Sequence, residues 1–286
     1  MTPDPARHAA LVDLARRQAE VLAADPRIAA ILLTGSVATG HVDADSDIDT
    51  ILYFDTLPDA AEFAALVADA EASGGRLFGG TPEDGFALFR WRDGVRCDLS
   101  YTRSASIDEL LDRFLEAPTV DDPTTLVVLR GLRDGIALHG AARVAAWQAR
   151  LAACPPALSD ALVAANLRLP TPWVLERYGV ARGDRLYLVD TLLDACRRLV
   201  LLLYGLNGQW PTGKLKGFAR HADELAIAPP DLAARLDALF ERPPAEAVAA
   251  YAALVDDVHA LVAVHRPGPD AAAARAAFAW RPPAAG

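Results

Sequence analysis

The residues best placed to do chemistry are Gly35-Ser36 and Asp47-Ile48-Asp49, with ten residues between them. The acidic pair opens onto Ile51-Leu52-Tyr53-Phe54, a run that reads as a core strand. Strand side chains alternate faces, so Asp47 and Asp49 project to one side. Two carboxylates held that way offer the hard oxygens that suit Mg²⁺. Gly35-Ser36 follows Ile31-Leu32-Leu33-Thr34 and breaks an apolar strand into a small-residue turn. Such a turn, opening a helix, presents backbone N–H groups and a hydroxyl to an anion. Together the two segments describe a place to hold a metal-bound triphosphate. The competing reading makes Asp43, Asp45, Asp47 and Asp49 a solvated acidic connection. Acids at the mouth of a core strand are costly, however, unless a cation or donors compensate them.

Gly-Ser, ten residues and Asp-x-Asp resemble the signature of the DNA polymerase β-like nucleotidyltransferase superfamily. Gly40 after the turn and Ser46 before Asp47 agree with it as well. The resemblance implies a third carboxylate on a later strand. Asp98 supplies it, inside Val95-Arg96-Cys97-Asp98-Leu99-Ser100-Tyr101 and just after an Asp93-Gly94 turn. It also implies two Mg²⁺ ions held by Asp47, Asp49 and Asp98, with Gly35 and Ser36 at the phosphates of a nucleoside triphosphate.

The elements that must position these residues fall into two halves. A helix is expected at 6–24, then strands near 28–34 and 48–54, a helix near 59–72, and strands near 85–91 and 94–101. Helices near 105–116 and 124–133 and a short strand at 136–138 follow. Beyond about residue 141 the strand signal ends. Helices are expected near 141–152, 157–168, 184–204, 231–241, 244–264 and 270–279, and Arg281 onward reads as a loose tail. The pattern is α/β followed by helices, and the resemblance implies a mixed-sheet nucleotidyltransferase domain at 1–140, then an all-helical bundle at 141–286.

In the helical half, Leu186, Val189, Leu193, Cys196, Val200 and Leu203 recur at three- and four-residue steps as an apolar stripe. Asp190, Asp194, Arg197 and Arg198 fall outside it. Those charges read either as a solvated face or, with Glu176, as contacts to an amine-rich or hydroxylated acceptor. After the helix, Tyr204-Gly205-Leu206-Asn207 and Pro211-Thr212-Gly213-Lys214 resemble a segment of helical domains appended to small-molecule, antibiotic-modifying nucleotidyltransferases. Lys214 reads either as a surface lysine of a helix-ending loop or as a point charge that neutralises phosphate. Trp91, Trp147, Trp173, Trp210 and Trp280 read as core or interface, with Trp173 and Trp210 as candidate walls of an acceptor pocket.

Composition narrows the classes further. The 286-residue chain is 52% hydrophobic and carries a net charge of −10, which argues against a broad electrostatic grip on nucleic acid. Cys97, Cys154 and Cys196 show no metal-binding spacing and read as free thiols. No apolar leader or membrane-length run is apparent, and there is no GxGxxG or Walker A motif. A cytoplasmic enzyme is expected, moving AMP from ATP to a hydroxyl of a small molecule such as an antibiotic. The alternatives are an RNA or protein acceptor in a toxin–antitoxin setting, or a non-catalytic nucleotide-binding module. The oligomeric state is left open.

Overall fold

The computed structural model describes residues 4–283 as two compact units. Among the described residues, unit 1 comprises 4–116 and 128–152, and unit 2 comprises 117–127 and 153–283. Unit 1 begins with α1 (Pro5–Leu22), β1 (Ile28–Thr34), the one-turn α2 (Gly35–Ala38) and β2 (Ile48–Phe54). Next come α3 (Ala60–Ala72), β3 (Arg76–Thr81), β4 (Gly85–Arg92) and β5 (Val95–Arg103). It ends with α4 (Ser104–Glu116), α5 (Pro123–Asp134), β6 (Ile136–His139) and α6 (Ala141–Arg150), the first turns of α5 being counted with unit 2.

The six strands form one sheet in the order β3-β4-β5-β2-β1-β6. Only β2 and β5 pair in parallel, with Asp49 beside Asp98, so the sheet is mixed as expected. A parallel pair needs a long crossover, here α3 and the β3–β4 hairpin. An Asp59–Glu62 capping box starts α3. One sheet face packs Leu33, Ile48 and Cys97 against Leu11, Leu14 and Ala15 of α1. On the same face Leu52, Phe54, Leu88, Leu99 and Tyr101 meet Phe63, Leu66 and Ala70 of α3. The other face carries Asp49 and Asp98 and, further along β2, Tyr53, which meets Trp147 of α6 edge-on at 4.8 Å.

Unit 2 contains α7 (Pro156–Asn166) and α8 (Pro172–Val174), which runs on into a π-helical turn, Leu175–Val180. The remaining helices are α9 (Arg185–Asn207), α10 (Leu232–Glu241), α11 (Pro244–His265) and α12 (Pro269–Ala279). Asp184 caps the start of α9, and Gly208, left-handed at φ +60°, ends it. By length and composition α11 could cross a membrane, but Val248, Tyr251, Leu254, Val255 and Val258 bury it in the unit's core.

Four expectations are corrected. The units do not divide at residue 140: α6 belongs with the sheet, because Trp147 is buried there and donates to Asp108 at 2.6 Å. Strand β3 went unread, since two glycines and a mostly exposed surface leave no alternating pattern. The stripe on α9 is out of phase at its start, where Leu186 and Val189 are exposed and Leu188, Leu192 and Ala195 are buried. That helix is apolar at so many positions that several stripes fit it equally well. Finally Arg281, placed in the loose tail, is held by Glu176 in a two-pronged ion pair of 2.7 and 2.8 Å.

Trp147→Ala should destabilise the full chain by about 3–5 kcal/mol, as expected for a buried aromatic. Urea unfolding followed by circular dichroism measures it. A change too small to resolve would place α6 outside the core.

Candidate active site

Antiparallel pairing of β1 with β2 sets Thr34 opposite Asp49, at the point where β1 gives way to the Gly35 turn. Parallel pairing of β2 with β5 sets Asp49 beside Asp98. Asp47 lies two residues earlier on the same side. The result is three partly exposed carboxylates, one oxygen of each lying within 4.8 Å of the others. At that separation like charges repel, so the set is suited to a cation.

Gly35 is required twice over. Its φ of +69° lies in the left-handed region. A Cβ there would also sit 2.0 Å from Asp49 Oδ2, so only glycine lets the carboxylate come this close to the turn.

Helix α1 braces both loops that carry the site. Arg7 donates from Nε to the Asp43 carbonyl at 2.8 Å and from Nη2 to the Ser46 carbonyl at 3.3 Å. His8 Nε2 lies 2.9 Å from the Val37 carbonyl. Ser46 Oγ accepts from the Asp43 N–H and donates to Asp43 Oδ1, both at 2.9 Å, closing the turn that delivers Asp47. His41 is a turn residue, its Nδ1 3.2 Å from Thr39 Oγ1.

Sequence reasoning missed Arg96. From Nε and Nη2 it grips both Asp98 oxygens, at 2.8 and 3.0 Å. Its guanidinium also lies over the rings of Phe89 (4.6 Å) and Phe78 (5.3 Å). Asp98 first, then Asp47 and Asp49, hold its pKa above the usual arginine range, so it senses the whole acidic set. Two residues apart on one strand, Arg96 and Asp98 share a face, and that spacing was the readable signal.

The residues expected in the helical half lie in unit 2. Lys214 is exposed in the loop after α9, beside a small cavity of about 80 Å³ lined by Arg197, Val200, Leu201, Tyr204 and Leu126. Glu176 is engaged by Arg281, and Asp194 by Arg198 at 2.7 Å. Asp190 is exposed on α9. Trp210 is buried in the core of its unit rather than in a pocket wall, while Trp173 packs edge-on against Trp280 at 5.7 Å.

Residues 15–75 match the profile of the nucleotidyltransferase domain family. That segment holds the turn, Asp47 and Asp49, and the match indicates a nucleotidyltransferase domain, which implies a nucleoside triphosphate as one substrate. Among solved structures the chain is similar to a nucleotidyltransferase-like protein from Exiguobacterium sibiricum. The two are 12% identical, and the match covers 87% of this chain and 73% of that one with a TM-score of 0.42, too distant to bear on function. No curated protein sequence matches significantly.

Because Arg96 competes for Asp98, Arg96→Met should tighten Mn²⁺ binding about tenfold. Isothermal titration without nucleotide reads this directly, and unchanged or weaker binding would refute the competition. Gly35→Ala should abolish Mn²⁺ binding and cost roughly 1–2 kcal/mol of stability from the left-handed backbone alone. Retained binding would show that Asp49 can retreat.

Proposed function

We propose that the protein transfers a nucleoside monophosphate, AMP from ATP, to a hydroxyl of a small molecule. The observation that carries this reading is the register of β1, β2 and β5. It sets a glycine turn, a carboxylate pair and a third carboxylate side by side on one sheet face. The acceptor oxygen bonds to the α-phosphorus, the bond from that phosphorus to the bridging oxygen breaks, and pyrophosphate leaves. The hydroxyl proton passes to solvent.

Asp47, Asp49 and Asp98 fit Mg²⁺ in donor type, charge and spacing. Asp47 and Asp49 would hold two ions and Asp98 the one nearer the acceptor. Bound there, the metal supplies charge neutralisation of the attacking and leaving oxygens. The backbone of Gly35 and the hydroxyl of Ser36 would hold the terminal phosphates, and Lys214 would add a point charge to them. Of the three acids assigned to the acceptor, Asp190 suits the role best. Glu176 and Asp194 would first have to release Arg281 and Arg198. An antibiotic acceptor is the substrate class that the likeness of the Lys214 segment favours. The net charge of −10 suits a cationic acceptor and weighs against RNA.

Purified protein with ATP, Mg²⁺ and a panel of hydroxylated acceptors should release pyrophosphate. Asp49→Asn should cut the rate by more than about 100-fold while leaving the circular dichroism spectrum unchanged. Asp98→Ala should lower turnover far more than nucleotide affinity. Near-normal turnover of a folded Asp49→Asn protein would overturn the site assignment.

A further inference from the structure

The sheet face that carries the acids continues past them onto an uncovered aromatic surface. Phe89 of β4 is the direct cross-strand partner of Asp98, and Trp91 is the partner of Arg96, so all four share that face. Phe78, in the irregular stretch of β3, meets Phe89 with ring centroids 5.3 Å apart. Phe78 is 48% exposed and Trp91 44%, unusual for rings on a sheet with a packed core. The Arg96 guanidinium carbon lies 5.3 Å from the centroid of the Phe78 ring and 4.6 Å from that of Phe89, while its Nε and Nη2 are pinned by Asp98. A pinned guanidinium on an aromatic bed is itself a stacking surface, because its planar cation attracts π faces.

Position across the sheet says what this surface is for. Reading outward, the Gly35 turn ends β1, Asp47 precedes β2 and Asp49 lies in it, Asp98 and Arg96 belong to β5, Phe89 and Trp91 to β4, and Phe78 to β3. Neighbouring strands are about 4.8 Å apart. The aromatic surface therefore begins one strand beyond Asp98, on the side away from the phosphate turn. In an in-line displacement the leaving pyrophosphate and the attacking oxygen occupy opposite sides of the α-phosphorus. With the phosphates at the turn, the attacker comes from the side of Asp98 and the rings.

From this ordering we infer that Phe78, Phe89, Trp91 and Arg96 form the acceptor floor, and that the acceptor carries its hydroxyl on or beside a planar, π-bearing ring. The inference rests on the transfer reading above and narrows its substrate class. A polynucleotide is disfavoured as the ring's carrier. Arg90 and Arg92 are turned to Asp69 and Arg96 to Asp98, which leaves Arg76, exposed opposite Phe89, as a single cation on this face among the described residues rather than the row a phosphate backbone needs.

The test has a binding arm and a transfer arm. Riboflavin serves as the planar probe, a flat tricycle with a hydroxylated chain whose fluorescence is quenched on stacking. Kanamycin, a polyhydroxylated amine without a planar ring, is the comparison. The full-length protein should quench riboflavin, and Phe78→Ala and Phe89→Leu should each weaken its binding about tenfold, the scale of one lost stacking contact. Phe89→Leu keeps apolar bulk under the guanidinium and guards against misfolding. In the transfer arm, mass spectrometry should find AMP on ring-bearing alcohols, with KM raised by both variants, and little on kanamycin. Riboflavin binding that neither variant weakens, or efficient transfer to kanamycin that neither variant disturbs, would overturn the acceptor floor. Ring-dependent riboflavin binding with no pyrophosphate release from any acceptor would instead overturn the transfer reading.

Discussion

Three carboxylates within 4.8 Å are the constraint that the rest of unit 1 accommodates. Their mutual repulsion opposes folding of the strands that carry them unless a cation is near. The sheet brings its own in Arg96, which meets Asp98 with two hydrogen bonds and lies close enough to respond to Asp47 and Asp49. Asp49 meets Asp98 only because β2 and β5 run parallel. The excursion through α3 and the β3–β4 hairpin that makes this possible is therefore part of the site's architecture. So is the apolar face beneath it, where Leu52, Leu88, Leu99 and Tyr101 fix the register. A slip of one residue would send the acids into that core.

The turn after β1 follows the same constraint at closer range. Asp49 can approach the backbone at residue 35 only where there is no Cβ, and the left-handed backbone there demands glycine independently. Helix α1 then holds the two loops through Arg7 and His8, both by way of carbonyl oxygens. Such contacts depend on backbone shape rather than on the neighbour's side chain, so nothing in the sequence of either loop announces them.

That distinction explains what could be read in advance. Strands β1 and β2 show their ends plainly, because apolar runs stop at Gly35 and start after Asp47. The acidic set was legible for the same reason, period two placing its members on a common face. Arg96 obeyed the same rule but was passed over beside the residue it serves. Strand β3 was hidden because its pairing rests on backbone hydrogen bonds from a segment with two glycines and little to bury. The start of α9 was misphased because leucine and valine stand at so many of its positions that the sequence does not reveal which stripe faces inward; its neighbours decide. Gly179 is such a neighbour: a Cβ there would sit only 3.1 Å from Leu188 Cβ, so its absence leaves Leu188 room.

The chemistry of Arg96 also explains why this position is not filled by lysine. The chain has only two lysines, Lys214 and Lys216, both in the loop after α9, so arginine supplies nearly all its positive charge. Elsewhere that preference has little local consequence, since many of those arginines form exposed ion pairs of small energetic weight. At Arg96 shape matters. A lysine ammonium could balance Asp98 but could not grip both oxygens with a two-pronged planar group while also sitting over Phe89 and Phe78. The planar cation joins the acidic half of the face to the aromatic half. It thereby makes one continuous surface of two groups of residues whose burial and charge would otherwise set them apart.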